Sequence, residues 1–170
     1  MNRRESQGRR ICSVLIWFLA GLLLVGCATV ETRAPEESKI AETRPVPPGK
    51  ALIYIYRDYS DALVKYEVIV DNQSVSELAS NTFLVIETAS GQHAVRSRMG
   101  GRMLGLNIQA EQGKRNFVAL EFAMTGFYIF FSTYEYRLRR VSEEVGQAAI
   151  KGKSLVKHID FADPRSKTTE

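Results

Sequence analysis

Val64-Lys65-Tyr66-Glu67-Val68-Ile69-Val70-Asp71 alternates from one residue to the next, with Val64, Tyr66, Val68 and Val70 on one face and Lys65, Glu67 and Asp71 on the other. Successive side chains of an extended chain point to opposite sides, so this stretch reads as a strand with one buried face. Asp71-Asn72-Gln73-Ser74 behind it carries turn chemistry. Similar runs occupy 51–57, 82–88, 93–99, 104–110, 117–124 and 134–141, and Ser90-Gly91, Gly100-Gly101, Gln112-Gly113 and Thr125-Gly126 punctuate them. Seven or eight short strands with turn signals about every 8–12 residues predict a mainly β fold, a small antiparallel β-sandwich. Residues 51–161, about 110 in number, suffice for one core and not for two. Near the end Ser142 caps a predicted short C-terminal helix, with Glu143 and Glu144 in its first turn, Val145, Ala148 and Ala149 at helical spacing, and Gly152 to stop it. Gly146 inside that helix costs about 1 kcal/mol relative to alanine. The polar tail, 162–170, is expected to fray.

Ahead of the strands the chain changes character twice. Arg3, Arg4, Arg9 and Arg10 precede an apolar run at 11–26, long enough for a signal peptide and short of the roughly 20 residues of a bilayer span. The run ends in Leu24-Val25-Gly26-Cys27, which resembles the bacterial lipobox. That resemblance implies removal of residues 1–26 and lipidation of Cys27, with Gly26 as the small residue the peptidase requires. A diacyl thioether with an acylated amino group contributes about 0.8 kcal/mol per buried methylene, so the membrane is the first expected partner. Ala28 lacks the aspartate that would mark inner-membrane retention, so the expected location is the periplasmic side of the outer membrane. Cys12 lies within the removed segment, and the mature chain has no second thiol for a disulfide. The chain holds 23 Lys+Arg against 19 Asp+Glu, but the segment ahead of Cys27 contributes four Arg and one Glu. The remainder is nearly neutral, and its charge offers no argument for nucleic acid. Residues 27–50 are rich in Thr, Glu, Arg and Pro, with Pro35, Pro45, Pro47 and Pro48 interrupting any continuous helix. They read as a disordered tether with a root-mean-square span of about 25 Å.

Three pieces then carry a family resemblance: Pro47-Pro48-Gly49-Lys50-Ala51-Leu52-Ile53-Tyr54-Ile55-Tyr56-Arg57, Val70-Asp71-Asn72-Gln73-Ser74-Val75-Ser76-Glu77-Leu78 and Ser90-Gly91-Gln92-His93-Ala94-Val95. Together they resemble the bacterial lipoprotein family catalogued as domain of unknown function 2846, and the last two also look like PEGA-type surface β-domains. Asn72 and Ser90 stand where the PEGA-like turns usually carry glycine and proline. The resemblance implies a β-sandwich behind a lipobox, without an assigned activity.

The residues that would carry chemistry are few. His93 follows a turn glycine at the start of a strand and is expected to pack on its neighbours and bond the turn backbone. His158 has no metal-spaced ligand beside it, no Gly-x-Ser-x-Gly elbow exists, and Gly100-Gly101 lacks the context of a phosphate loop. Glu143 and Glu144 are adjacent and splay apart on a helix. The reading is a non-catalytic envelope lipoprotein, without cofactor or metal, whose domain contacts an envelope protein or cell-wall polymer. Arg96, Arg98 and Arg102 around the Gly100-Gly101 turn offer a candidate anion contact. A second reading, from another class, is a carbohydrate- or small-amphiphile-binding module that stacks ligands on Tyr54, Tyr56, Tyr128, Tyr134 and Tyr136. Phe127-Tyr128-Ile129-Phe130-Phe131, where alternation stops, is expected to be core.

Overall fold

In the computed structural model residues 29–58, 64–128 and 131–158 are described, with backbone only at 123–125, 127, 128 and 131–134. The elements in chain order are α1 (Pro35–Glu42), β1 (Lys50–Arg57), β2 (Tyr66–Val70), β3 (Gln73–Leu78), β4 (Thr82–Ala89), β5 (Gly91–Met99), β6 (Arg102–Ala110), β7 (Arg115–Tyr128), β8 (Phe131–Val141), α2 (Glu143–Ile150) and β9 (Ser154–Leu155). They form a five-stranded sheet, β8-β7-β1-β4-β9, and a four-stranded sheet, β3-β2-β5-β6.

The expected β-sandwich and its C-terminal helix are present, and a third layer covers the sandwich. Ile53, Ile55, Val68, Val70, Leu84 and Val95 belong to a core between the sheets. Leu52, Tyr54, Tyr56, Phe83, Phe117 and Ile150 belong to a second core between the five-stranded sheet and the helices. Central strand β1 is therefore buried on both faces, which is why Ala51-Leu52-Ile53-Tyr54-Ile55-Tyr56 is continuously apolar. In the four-stranded sheet one face meets solvent, and β5 keeps strict alternation with His93, Val95 and Ser97 buried.

Four expectations are corrected. The sandwich is not wholly antiparallel, because β1 pairs with β7 in parallel from Leu52↔Arg115 to Arg57↔Leu120, and β4 pairs with β9 in parallel. Alternation reports which side chains share a face and is blind to strand direction. The turn after β2 is tighter than expected: Val70 pairs with Gln73, and Asp71 (φ 48°) and Asn72 (φ 68°) make a two-residue turn of the left-handed kind that fits a hairpin's twist. Its polar residues hide β3, which begins at once at Gln73. Thr125-Gly126 is no turn. The register shifts between Met124 and Gly126, and the β7–β8 pairing continues to Tyr128↔Phe131, so this pair is a bulge.

The fourth correction concerns the tether. From Val30, which packs on the inter-sheet core, the chain is built into the domain. Thr32 bridges to Val156, Arg33 N donates to Leu155 O (2.7 Å) and Lys157 N donates to Glu31 O (2.9 Å). Helix α1 starts on Pro35, where the missing N–H is harmless, and ends before the prolines that interrupt further helix. It docks through buried Ser38 and Ala41. Leu155 N donates to Ser38 Oγ (3.0 Å), and Tyr54 Oη donates to Ala41 O (2.9 Å). Composition marks a segment that cannot bury enough apolar surface alone; here the outer face of the sheet supplies the missing surface.

Gly146, unfavourable for helix propensity, is required by packing. A Cβ there would lie 2.2 Å from Phe117 Cγ, so the helix reaches the sheet only without a side chain at this point. Gly146→Ala is expected to destabilise the fold by about 1–3 kcal/mol despite alanine's better helix propensity, measured by urea denaturation. Tyr54→Phe, which removes the hydroxyl bonded to Ala41 O, is expected to cost about 1 kcal/mol and to raise hydrogen exchange selectively in α1.

Candidate functional site

The inter-sheet core changes chemistry at both ends. Thr88 and His93 continue the buried phase of Ile86 and Val95 at the end where Ala51 pairs with Thr88. His93 is wholly buried, with Nδ1 2.6 Å from Asp71 Oδ2 and Nε2 2.8 Å from Thr88 Oγ1 and 3.0 Å from Ala89 O. Asp71 Oδ1 accepts from Ala94 N at 2.9 Å. The imidazole bonds the turn backbone as expected and also holds a carboxylate, but the group lies inside the core and not in a cleft. It ties the β2–β3 turn to β4 and β5.

At the opposite end, Arg57 continues the buried phase of Ile53 and Ile55 and is fully buried. Its Nη1 donates to Val64 O (2.8 Å), and its Cζ lies 4.9 Å from the centroid of the Tyr66 ring. The delocalised guanidinium suits this position, being weakly hydrated and stacked on an aromatic face. Tyr66 packs on Tyr136 (centroids 5.7 Å, 47° between planes), and Tyr136 packs on Phe122 (4.9 Å, 41°). Beside them, between β6 and β8, opens a cleft of about 240 Å³ lined by Tyr66, Met99, Arg102, Leu104, Glu135 and Tyr136. This aromatic, cationic mouth is the candidate site.

The three arginines proposed as one anion contact are divided. Arg96 donates to Asn72 Oδ1 (2.6 Å) and Arg98 pairs with Glu67 (3.2 Å) on the solvent face of the four-stranded sheet. Arg102 pairs in register with Met99, one residue out of phase with Arg98, and lines the mouth with it. The tyrosine platform is likewise broken up: Tyr54 and Tyr56 are core residues, 0% and 1% exposed, while Tyr136 lines the cleft. Burial pushes the Tyr56 hydroxyl up to about 12 and raises that of Tyr54. The side chains of Tyr128, Tyr134 and the 127–131 run, and the lipobox residues Leu24, Val25, Gly26 and Cys27, lie outside the described residues. His158 lines a separate polar groove with Glu31, Lys65 and Lys157. Glu143 stands beside Arg115 (3.8 Å) at the start of α2, where Ser142 Oγ accepts from Val145 N (3.4 Å). The sequence reading missed Arg57 as a site residue, although its phase with Ile53 and Ile55 marks it as inward-facing.

A family profile described as protein of unknown function (DUF2846) matches residues 47–132. The chain belongs to this family. The match takes in β1 to β7 in full, and so Arg57, Tyr66, Met99, Arg102 and Leu104 of the mouth, while Glu135 and Tyr136 fall beyond it. An uncharacterised protein of Haemophilus influenzae is 33% identical over 131 residues, 76% of this chain and 75% of the relative. No solved structure matches the chain.

On the helix side of β7, Glu121 is the buried carboxylate among the described residues. Arg139 Nε donates to its Oε1 (2.7 Å) and Arg137 Nε to its Oε2 (3.0 Å). The hydrogen bond from Arg139 first, then that from Arg137, hold its carboxyl below the usual range against the opposing effect of burial. A carboxylate with a depressed folded-state pKa stabilises above its unfolded value, about 4.3, and loses that contribution as pH falls through the folded value. The stability gap between wild type and Glu121→Gln, followed by urea denaturation, is expected to be constant above about pH 5 and to close below it.

Proposed function

We propose that this protein is a lipid-anchored envelope protein whose β domain is non-catalytic and is presented directly on the bilayer, where it contacts another envelope protein or cell-wall polymer. The observation that carries the reading is the spacing between the anchor motif and the fold. Cys27, at the end of Leu24-Val25-Gly26-Cys27, precedes by three positions Val30, which packs on the inter-sheet core, and by four positions Glu31, whose carbonyl accepts from Lys157 N. Four residues span about 14 Å at most. A lipid on Cys27 then holds the domain at head-group height and does not leave it to swing on a tether. The surface beside Thr29 is a groove of about 560 Å³ lined by Val30, Lys65, Glu67, Ser76 and Lys157 among others. Its alternating charges, with Lys65 paired to Glu77 (3.5 Å) and Lys157 to Glu31, suit a hydrated zwitterionic surface. Among the described residues no helix is long and apolar enough to cross a membrane; in this reading the acyl chains make the attachment. Ala28 behind the cysteine favours the outer membrane.

Mass spectrometry of the protein isolated from membranes tests the anchor. The expected amino-terminal peptide begins at Cys27 and carries a diacylglyceryl group; an intact Met1 with a free Cys27 thiol would sink the reading. Spin-labelled lipids test the placement. A fluorophore at Ser74, which lines the groove, is expected to be quenched, and one at Glu144, in the helical layer across both sheets, is not. Equal quenching at both sites would restore a free tether.

A further inference from the structure

We propose that the mouth between β6 and β8 binds the carboxylate head of a single-chain amphiphile, with Arg102 on the carboxylate and the methionine and aromatic walls on the first methylenes of the chain. Among the described residues Arg102 is the arginine whose side chain makes neither an ion pair nor a hydrogen bond. Arg33, Arg44, Arg98, Arg115, Arg137 and Arg139 stand in ion pairs, and Arg57, Arg96 and Arg140 donate to a carbonyl or an amide oxygen. An exposed guanidinium offers a planar fork that takes a carboxylate through two parallel bonds.

The walls beside it are apolar. Met99 and Leu104 are half-buried in the cleft, Met103 at its edge is 48% exposed, and Phe122, stacked on Tyr136, is 38% exposed. The large apolar side chains exposed among the described residues are Ile40, Met103, Phe122 and Val145; of these Met103 lines the cleft, and Phe122 stacks on Tyr136 behind its wall. Apolar surface leading away from a free cation is the pattern an amphiphile complements, and methionine adapts to chains of varying shape. At about 240 Å³ the cleft is below the ~300–1,000 Å³ of a drug-sized pocket. It therefore admits a head group and the first part of a chain. Glu135 on the opposite wall sets the head-group charge, because it repels a dianion more than a monoanion. A carboxylate is favoured over a phosphate monoester on that ground.

The full-length protein in nanodiscs, exposed to a diazirine-bearing fatty acid and irradiated, tests the site. Label is expected on peptides containing Met99 to Leu104 and Glu135-Tyr136. It is expected to be displaced by dodecanoate, less well by dodecyl phosphate, and not by dodecyl maltoside. Arg102→Gln is expected to weaken displacement by dodecanoate about tenfold or more, the scale of a hydrogen bond to a charged group. Arg98→Gln, on the other face of the sheet, is expected to leave it unchanged, and Met99→Ser, in phase with Arg102, to weaken it with the fold intact by circular dichroism. Label spread evenly over the chain, equal displacement by the maltoside, or an Arg102→Gln profile matching wild type would each overturn the proposal. Equal displacement by dodecanoate and dodecyl phosphate would overturn the choice of carboxylate.

Discussion

Strand β1 has to be covered on both faces, and the rest of the architecture follows from that. Ile53 and Ile55 demand a second sheet on one side; Leu52, Tyr54 and Tyr56 demand a lid on the other, and α1, α2 and Val46 provide it. At about 25 cal/mol per Å² of apolar surface withdrawn from water, neither face could be left open without a loss comparable to the net stability of a small domain. The bare Gly146 and the hydroxyl of Tyr54 are local consequences, since each lets a helix approach the strand closely.

The aliphatic filling between the sheets runs out at each end of β1, and polar groups close it in two different ways. Near Ala51 the closure is internal, with His93, Asp71, Thr88 and backbone satisfying one another within the core. Near Arg57, about 20 Å away along the strand, it is a stacked series of cation and rings that ends at solvent. A buried polar group with its partners in place stabilises and specifies, whereas an open end with an uncommitted cation is free to bind. That contrast places the candidate site at one end of the sandwich and structural histidine chemistry at the other.

The segment before β1 belongs to the fold. Its pairing with 154–157 makes the amino-terminal and carboxy-terminal stretches of the domain one edge structure. In the proposed lipid-anchored form, the domain would be held near the membrane through Val30 to Arg33, which are part of the fold, and not on a long linker.

Alternation in the sequence was enough to establish a β-sandwich, the buried face of β2 and β5, and the helix capped by Ser142, because these depend on neighbours within a few residues. The same phase logic marks Arg57 as inward-facing. Strand direction, the parallel β1–β7 pairing, the docking of α1 and the separation of Arg102 from Arg96 and Arg98 were settled only by the tertiary structure. The reason is physical: period-two patterning records which side of a strand is dry, while partner, direction and cover come from surfaces distant in the chain that no local window contains.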